Sequence, residues 1–380
     1  MPENPGRGHV VVAPDKFRGT LEAPEAAARI AAGIRRAAPG TEVRELPVAD
    51  GGEGTLAAAL AAGFDRVPVV VPGPTGLPVD AALAVRGTTA VVELAQACGL
   101  ARLPGGRPAP LTAGTHGVGR LIGRAVALGA RRIVLGLGGS AGTDGGAGML
   151  QALGVPLLDE RGAELPPGGA ALRRLDRIGA GSLPDALRGV EVVVASDVDN
   201  PLLGPRGAAA VYGPQKGADA ADVVVLEEGL TRFADVVAAA VGRDVRAVPG
   251  AGAAGGTGFA ALALLGAAVR PGIGFLLELL GFGEAVRGAR LVVTGEGCLD
   301  AQTLHGKAPA GVAAAAAGAG VPVAVVAGRV ELSEREWRAA GFVAAYALDV
   351  LGAHPGESLT RAGELAGTAG ERLAADLLHG

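Results

Sequence analysis

Short apolar runs alternate with helical segments at both ends of this chain, and this alternation constrains the fold more than any other feature. HVVVAP (9–14) is an apolar run stopped by proline, residues 24–38 have helical spacing, and residues 41–46 alternate as a strand does. Strand-like runs separated by helical segments return near the other end: ARLVVTGEG (289–297), VPVAVVAG (321–328) and GFVAAYAL (341–348). The alternation predicts an α/β fold in which both termini contribute strands to one parallel sheet.

The middle of the chain has a different pattern. Three strand-like runs follow one another between residues 65 and 93, with PGPTG as a turn, and their succession predicts a mixed sheet. A length of 380 residues also exceeds what one hydrophobic core usually supports. We therefore predict two α/β domains: residues 1–85 plus 287–380 form a discontinuous domain, and residues 86–286 form an inserted domain with the mixed sheet.

Composition argues against several classes of function. The chain has 34 basic and 38 acidic residues, a net charge of −4, and no basic run, which argues against binding to nucleic acid or to a membrane surface. No run of 18 apolar residues lacks glycine, proline or charge, and the N-terminal sequence is not that of a signal peptide. Cys98 and Cys298 are too few for a disulfide framework or a zinc cluster. We expect a soluble, cytoplasmic protein.

Lysine is rare in this chain. Only Lys16, Lys216 and Lys307 are lysines among the 34 basic residues, and arginine occupies every other basic position. Arginine is a planar fork, whereas lysine is a compact point charge on a flexible stem. We interpret the three lysines as positions where arginine cannot replace the function of lysine. The alternative is that they were kept by chance. Each lies beside glycine or proline in an unusual stretch: APDKFRGT, GPQKG and HGKAP.

A glycine-rich stretch, LGLGGSAGTDGGAGM (135–149), begins at the end of the predicted strand 131–137 and runs into a short predicted helix. Glycine inside an element costs roughly 0.5–1 kcal/mol relative to alanine, so seven glycines in fifteen residues need a reason. A strand that runs through glycines into a helix exposes backbone N–H groups to an anion. The chain has no Walker A sequence. The pattern favours a phosphate-cradling loop over a mobile linker.

Two carboxylates follow another apolar strand. SDVDNP (196–201) comes directly after the run VEVVVA, and in an extended chain Asp197 and Asp199 face the same side. Paired carboxylates at a strand end can bind Mg²⁺ or accept a proton from a hydroxyl, and an Asx turn that closes the strand is the alternative. Arg206 and Lys216 follow on tight loops, either to meet negative charge or as ordinary solvated charges.

The stretch TGEGCLDAQTLHGK (294–307) also follows a strand, and it supplies Glu296, Asp300 and Lys307 within one turn-rich segment. Its pattern of acids and glycines is similar to that of ADGGEGT (49–55). For Asp300, a helix-capping role is the alternative. Acids, point charges and backbone N–H groups, without a serine triad or metal cluster, suit phosphoryl transfer, which depends mainly on positioning and charge neutralisation.

Five collinear stretches resemble the bacterial glycerate kinase family of the type-1 kind, from about residue 9 to residue 376. They are APDKFRGTL, ADGGEGT, GGSAGTDGGAGMLQALG, SDVDNPLLGPRGAAAVYGPQKGA and TGEGCLDAQTLHGKAPAGV. The resemblance implies ATP-dependent phosphorylation of D-glycerate with Mg²⁺, and a flavodoxin-like domain joined to a second α/β domain. Two motifs depart from the family: Lys16 and Arg18 replace serine and lysine, and Gly142 and Thr143 occupy a variable pair. These changes put fine substrate preference in doubt, not the reaction.

The resemblance also implies roles, with the active site in the cleft between the domains. Catalytic roles, including Mg²⁺ binding by the two aspartates, fall to Asp197, Asp199 and Lys307. Substrate binding falls to Lys16, Arg18, Asp50 and Arg206. Binding of nucleotide and phosphate falls to Gly138, Gly139, Ser140, Thr143, Asp144, Lys216, Glu296 and Asp300. The expected ligands are ATP and D-glycerate, with 2-phosphoglycerate as the favoured product and a monomer or homodimer as the assembly.

Two alternatives stay open at this point. The piece GLGGSAG is similar to the phosphate loop of GHMP-type kinases, which act on sugars or polyols. The other alternative is a non-catalytic metabolite sensor that kept the fold. In such a protein, we expect some of the charged residues of the motifs to be replaced. Those acids and lysines are intact in this sequence.

Overall fold

The computed structural model describes residues 8–17, 19–183, 185–352, 354 and 356–378, and the chain divides into two compact units. The first unit contains the chain up to Asp50, residues Ala57–Gly63 and the chain from Gly272 onward. The second contains Gly51–Leu56 and Phe64–Pro271. The division therefore falls near residues 64 and 272, whereas the sequence pattern placed it near residues 86 and 287.

Strands and helices alternate along most of the described chain. The strands are β1 (His9–Pro14), β2 (Val43–Glu45), β3 (Asp65–Pro72), β4 (Pro78–Arg86), β5 (Thr89–Glu93), β6 (Arg132–Gly136), β7 (Leu157–Asp159), β8 (Leu175–Ile178), β9 (Glu191–Ala195), β10 (Ala268–Arg270), β11 (Ala289–Leu299), β12 (Val323–Val330) and β13 (Phe342–Ala347). The α-helices are α1 (Ala23–Ala37), α2 (Thr55–Ala61), α3 (Leu94–Cys98), α4 (His116–Ala127), α5 (Ala147–Ala152), α6 (Ala208–Tyr212), α7 (Ala220–Val241), α8 (Ala253–Leu264), α9 (Gly272–Leu280), α10 (Phe282–Ala285), α11 (Ala308–Gly318), α12 (Glu334–Ala339), α13 (Leu348–Leu351), α14 (Glu357–Thr360) and α15 (Ala362–Leu377). No helix in this described part of the chain is long and apolar enough to cross a membrane.

The first unit is built on a parallel sheet in the order β2-β1-β11-β12-β13. Counted along the unit, the strand order is 2-1-3-4-5, which is that of flavodoxin-like folds. The prediction of a parallel sheet made by both termini is confirmed. In such sheets a ligand binds beyond the carboxyl ends of the strands where the order reverses, which here means the ends of β1 and β11.

The core of the first unit explains its two long helices. β1 is buried along its whole length, and Ile30 and Ile34 of α1 pack beneath it. Helix α15 lies against α1 through small residues. A Cβ on Gly33 would stand 1.9 Å from the carbonyl oxygen of Gly367, so only glycine allows this close approach of the two backbones.

The second unit is built on a mixed sheet in the order β10-β9-β6-β5-β4-β3. β5, β6, β9 and β10 run parallel, while β3 and β4 form an antiparallel hairpin that adds to β5. The prediction of a mixed sheet is confirmed. Since β5, β6 and β9 are parallel neighbours, the residues that follow Glu93, Gly136 and Ala195 emerge at the same edge.

Candidate active site

The glycine loop, residues 138–146, begins two residues after β6. Most of its glycines are required by the packing of the protein itself. A Cβ on Gly138 would lie 2.4 Å from the Cα atom of Gly52, and one on Gly142 would lie 2.6 Å from the carbonyl oxygen of Ala113. Gly139 is different, because it is exposed and has a φ of +73° with no atom nearer than 3.4 Å to an added Cβ. The backbone near Gly139 is therefore the part of the loop that a ligand can approach.

Asp144 ties the glycine loop to two helices. Its carboxylate is 1% exposed and accepts hydrogen bonds from the backbone N–H and hydroxyl of Thr115, both at 2.9 Å. It also accepts the backbone N–H groups of Gly146 and Gly148, both at 3.1 Å. With its oxygens used in this way, Asp144 positions the loop. A direct contact of this side chain with phosphate stays a prediction.

Lys216 is the second buried charge at the glycine loop. Its side chain is 1% exposed, and Nζ donates to the carbonyl oxygen of Gly142 at 2.6 Å. Burial lowers the pKa of Lys216 to about 7, and the negative charge of Asp144 opposes this shift. A Cβ on Gly255 would stand 3.0 Å from Nζ, so little room surrounds the ammonium. The sequence suggested a lysine facing an anion or solvent, whereas the structure places it inside the protein.

Ser140 and Thr143 complete the loop and are also buried. The Thr143 hydroxyl has no hydrogen-bond partner in the described part of the structure. Main-chain bonds join the loop to the end of α3, because the Leu100 N–H donates to Gly139 and the Ala141 N–H donates to Cys98. The loop is thus held on several sides, with Gly139 left open.

A second glycine-containing segment, residues 51–55, lies against the same sheet edge. A Cβ on Gly51 would stand 2.2 Å from the carbonyl oxygen of Ala195, the last residue of β9. The buried carboxylate of Glu93, at the end of β5, accepts the backbone N–H groups of Gly54 (3.2 Å) and Leu56 (2.8 Å). Burial raises the pKa of Glu93, which these hydrogen bonds counteract. The sequence pattern did not lead to Glu93, although an acid at the end of an apolar strand can indicate a residue near a functional site.

Asp197 and Asp199 follow β9 and are both exposed. Asp199 forms an ion pair with Arg206 at 3.2 Å, and the two side chains are 73% and 70% exposed. The amide of Asn200 donates to the backbone oxygen of Arg206 at 2.7 Å and fixes the loop that carries this pair. Since β6 and β9 are neighbours, these charges and the glycine loop share one edge of the second unit.

The first unit carries a group of charged residues at the carboxyl ends of β1 and β11. We call it the strand-end cluster: Asp15, Lys16, Asp50, Glu296, Asp300 and Lys307. The Asp15 N–H donates to the carbonyl oxygen of Gly295, and Asp15 Oδ1 accepts the Lys16 N–H at 2.7 Å. Burial and the negative charge of Asp50 raise the pKa of Asp15 to about 7; Glu296 adds to the shift, while the N–H and charge of Lys16 oppose it. Arg18, predicted to bind substrate, lies outside the described residues.

Lys307 holds the other side of the strand-end cluster together. Its Nζ lies 3.3 Å from Asp300 and 3.8 Å from Glu296. Glu296 also accepts the Thr303 hydroxyl at 2.5 Å. Burial of Asp300 raises its pKa, but the hydrogen bond and charge of Lys307 and the N–H groups of the following turn outweigh this and lower it overall. Asp300 therefore closes a turn by accepting the N–H groups of Gln302 and Thr303, and it also pairs with Lys307.

The structure thus gathers the predicted residues into one group in each unit. The strand-end cluster contains Lys16, Asp50, Glu296, Asp300 and Lys307. The second unit places Gly138, Gly139, Ser140, Thr143, Asp144, Lys216, Asp197, Asp199 and Arg206 at or behind one sheet edge. Asp15 is the residue of the first unit that sequence analysis missed, although it is the first acid after a wholly buried strand.

Comparisons with known proteins cover nearly the whole chain. A sequence profile of the Glycerate kinase family matches residues 10–378. The chain is 48% identical over 324 residues to a glycerate kinase of Bacillus subtilis (strain 168), which covers 84% of this chain and 85% of that protein. It is 44% identical over 323 residues to a glycerate 2-kinase of Escherichia coli (strain K12), with 84% of each chain covered. A solved structure from Salmonella typhimurium LT2, described as a candidate glycerate kinase 2, has a TM-score of 0.85 and 38% identity over 97% of this chain and 98% of that one.

Proposed function

The chain belongs to the glycerate kinase family, and from that premise we propose that it transfers the γ-phosphoryl group of ATP to the 2-hydroxyl of D-glycerate. The observation that carries the ATP dependence is the glycine loop, which is fixed by buried charges and leaves its backbone open at Gly139. Phosphoryl transfer asks a protein mainly for such positioning and for charge neutralisation. Transfer to the 2-hydroxyl is supported by the name of the Escherichia coli relative.

In the second unit, the proposed roles concern the phosphates. The backbone at Gly138 and Gly139 receives them. Arg206 keeps its predicted role in substrate binding, in which it exchanges its ion pair with Asp199 for one with a negative charge of the substrate. Asp197 and Asp199 hold the Mg²⁺ that arrives with ATP. No group of three or more His, Cys, Asp or Glu side chains in the described residues is placed to hold a metal ion. Two exposed carboxylates fit Mg²⁺, because this ion keeps several waters and is usually bound by one or two carboxylates plus substrate phosphates.

In the first unit, the proposed roles concern glycerate and the transferred charge. Lys16 and Arg18 orient the carboxylate of glycerate, and Asp50 accepts hydrogen bonds from its hydroxyls. Lys307 neutralises charge that develops on the transferred group. Glu296 and Asp300 support that role, because their ion pairs hold the ammonium in place.

The alternatives from the sequence have less support. The relatives named above are glycerate kinases, and neither a GHMP-type kinase nor a metabolite sensor is among those matches. An assay of ADP release with glycerate, galactose and homoserine separates the three hypotheses. We expect release with glycerate alone. Release with galactose or homoserine would favour a GHMP-type kinase, and no release with any of them would favour a sensor.

Phosphorus NMR of the product tests the regiochemistry. We expect the spectrum of 2-phosphoglycerate, whereas that of 3-phosphoglycerate would overturn the proposed acceptor hydroxyl.

Asp197→Asn and Asp199→Asn test the proposed metal ligands. Each should lower kcat at least about 100-fold, since a catalytic metal ion contributes several kcal/mol of charge stabilisation. Near-normal turnover in both variants at saturating Mg²⁺ would contradict the assignment.

A further inference from the structure

The strand-end cluster contains a group for which the proposed function has given no role. We propose that Asp15 accepts the proton from the glycerate hydroxyl that attacks the γ-phosphorus of ATP. This inference rests on the proposed function, because it assigns one chemical step within that reaction.

The position of Asp15 is the first support. It directly follows β1, and its N–H is bonded to Gly295 near the end of β11. It therefore lies where the strand order of the parallel sheet reverses, which is where ligands of such sheets bind. Lys16 is its neighbour in the chain, so the residue proposed to orient glycerate and the residue proposed to take its proton come from the same segment.

The free oxygen of Asp15 is the second support. Oδ1 accepts the Lys16 N–H, and no other donor within the described residues reaches this carboxylate. Glu296 and Asp300 differ in this respect. Glu296 is engaged by Thr303 and Lys307, and Asp300 is engaged by two backbone N–H groups and Lys307. Asp15 therefore keeps an oxygen that a substrate hydroxyl can reach.

The charges around Asp15 are the third support. Asp50 and Glu296 face it with negative charge, Lys16 faces it with positive charge, and Lys307 is paired with Glu296. Burial and the two like charges raise the pKa of Asp15 to about 7. A general base works best when its pKa is near the working pH, because it is then both ionised and basic enough to hold the proton. An ordinary exposed aspartate, with a pKa near 3.9, is a much weaker base.

The step balances as follows. The hydroxyl oxygen of glycerate forms a bond to the γ-phosphorus of ATP while its proton passes to Oδ2 of Asp15. The bond between the γ-phosphorus and the bridging oxygen breaks, and its electron pair stays on the β-phosphate of ADP. The products are phosphoglycerate, ADP and protonated Asp15, which returns its proton to water before the next cycle.

The test is the pH dependence of kcat in the full-length enzyme with ATP, Mg²⁺ and glycerate at saturation. The wild type should lose activity as the pH falls through an apparent pKa near 7. We call this fall of kcat at low pH the acidic limb. Asp15→Asn should lower kcat at least about 100-fold and remove the acidic limb. Asp185→Asn, on a side chain that is 89% exposed, is the matched control and should leave rate and profile unchanged.

Two further variants move the limb in opposite directions if Asp15 is the base. Asp50→Asn removes a negative charge, so the limb should shift to lower pH by at least about 0.5 unit, and Lys16→Met removes a positive charge, so the limb should shift to higher pH by a similar amount. A purely structural role of Asp15 predicts neither shift. These two variants decide the question if Asp15→Asn does not fold.

Three results would overturn the assignment. They are near-normal turnover in folded Asp15→Asn, an acidic limb that stays in place in both charge variants, and a limb that disappears in Asp197→Asn instead. Failure of the proposed function is a separate result, since a wild-type enzyme that releases no ADP with glycerate shows it before any variant is made.

Discussion

The glycine loop and the strand-end cluster both bring charges to the carboxyl ends of parallel strands, but the hydrogen-bond partners and neighbouring charges differ between the two regions. In the glycine loop, Asp144 accepts four hydrogen-bond donors and Lys216 donates to the loop backbone. In the strand-end cluster, Asp15 lies among like charges and accepts one N–H. A buried charge with hydrogen-bond partners fixes the backbone around it, whereas burial and neighbouring carboxylates raise the pKa of a carboxylate so that it can take a proton. We infer that the buried charges of the glycine loop hold its backbone in place, and that the strand-end cluster takes part in the proton transfer.

The largest expected effect tests this contrast through stability. Asp144→Ala removes the acceptor of three buried backbone N–H groups, at Thr115, Gly146 and Gly148. We expect the free energy of unfolding to fall by about 3–5 kcal/mol, which is typical of removing one side of a buried charged interaction. Urea unfolding at pH 8 measures it. Asp15→Asn is the matched variant and should not destabilise the protein at that pH.

The pH dependence of Asp15→Asn sharpens the same comparison. The pKa of Asp15 is raised in the folded protein from 3.8 to about 7, so ionising Asp15 opposes folding. This penalty is absent below about pH 4 and complete above about pH 7. Asp15→Asn should therefore gain stability relative to the wild type between these pH values and no further gain above them. A loss of stability as large as that of Asp144→Ala would remove the contrast between the two regions.

The next effect separates two glycines of the same loop. Gly142→Ala places a Cβ 2.6 Å from a backbone oxygen, so we expect it to lower the free energy of unfolding by about 1–3 kcal/mol and leave the KM for ATP unchanged. Gly139→Ala has a positive φ, which costs roughly 1–2 kcal/mol, and its Cβ makes only ordinary contacts with the protein, the nearest at 3.4 Å, beside the backbone that we propose binds phosphate. It should therefore also raise the KM for ATP.

Thermal melting without ligand gives the folding part of each change, and steady-state kinetics gives the rest. If Gly139→Ala lowers the melting temperature while the constants for ATP and glycerate stay the same, the loop is a structural turn and its proposed contact with phosphate is wrong.

The sequence was sufficient for the sheets but not for the domain boundaries. Apolar runs of period two and the helices between them indicate which segments are strands, so the parallel and mixed sheets were predictable. The hairpin of β3 and β4 belongs with the second unit because β4 pairs with β5 across a tight turn, and β5 in turn pairs in parallel with β6, which follows α3 and α4 in the chain. The pairing of β5 with β6 is the long-range contact that local pattern does not encode. The boundary near residue 86 was therefore placed one hairpin too late relative to the observed division.

The candidate site shows a similar limit. Motif spacing found Lys216, but its setting in GPQKG is typical of an exposed loop, and its burial depends on the approach of Gly142 and Gly255 from elsewhere in the chain. Asp15 was missed for a related reason. Its raised pKa comes first from burial and then from the negative charges of Asp50 and Glu296, and both causes arise only when the parallel sheet has formed.

A smaller effect concerns Lys216 as a positioning residue. Lys216→Met keeps the length of the side chain and removes the bond to Gly142. The change leaves the buried Gly142 carbonyl without its donor, so the free energy of unfolding should fall by about 1–3 kcal/mol. The loop loses a support, and we expect the KM for ATP to rise about tenfold, with kcat reduced less. A 100-fold fall in kcat at unchanged KM would instead indicate direct contact with the transferred phosphoryl group.

The smallest expected effect on stability is at the ion pair of Asp199 and Arg206. Both side chains are largely exposed, and pairs of this kind contribute about 0–1 kcal/mol. Arg206→Gln should therefore leave the free energy of unfolding within about 0.5 kcal/mol of the wild type. A guanidinium held this weakly can exchange its partner for a ligand anion, so the KM for glycerate or ATP should still rise. Steady-state kinetics and urea unfolding of the same preparation measure both quantities. Because the glycine loop is fixed by buried charges and this pair is not, a large stability loss in Arg206→Gln would place Arg206 among the groups that shape the site, and its proposed role in binding a ligand would have to be withdrawn.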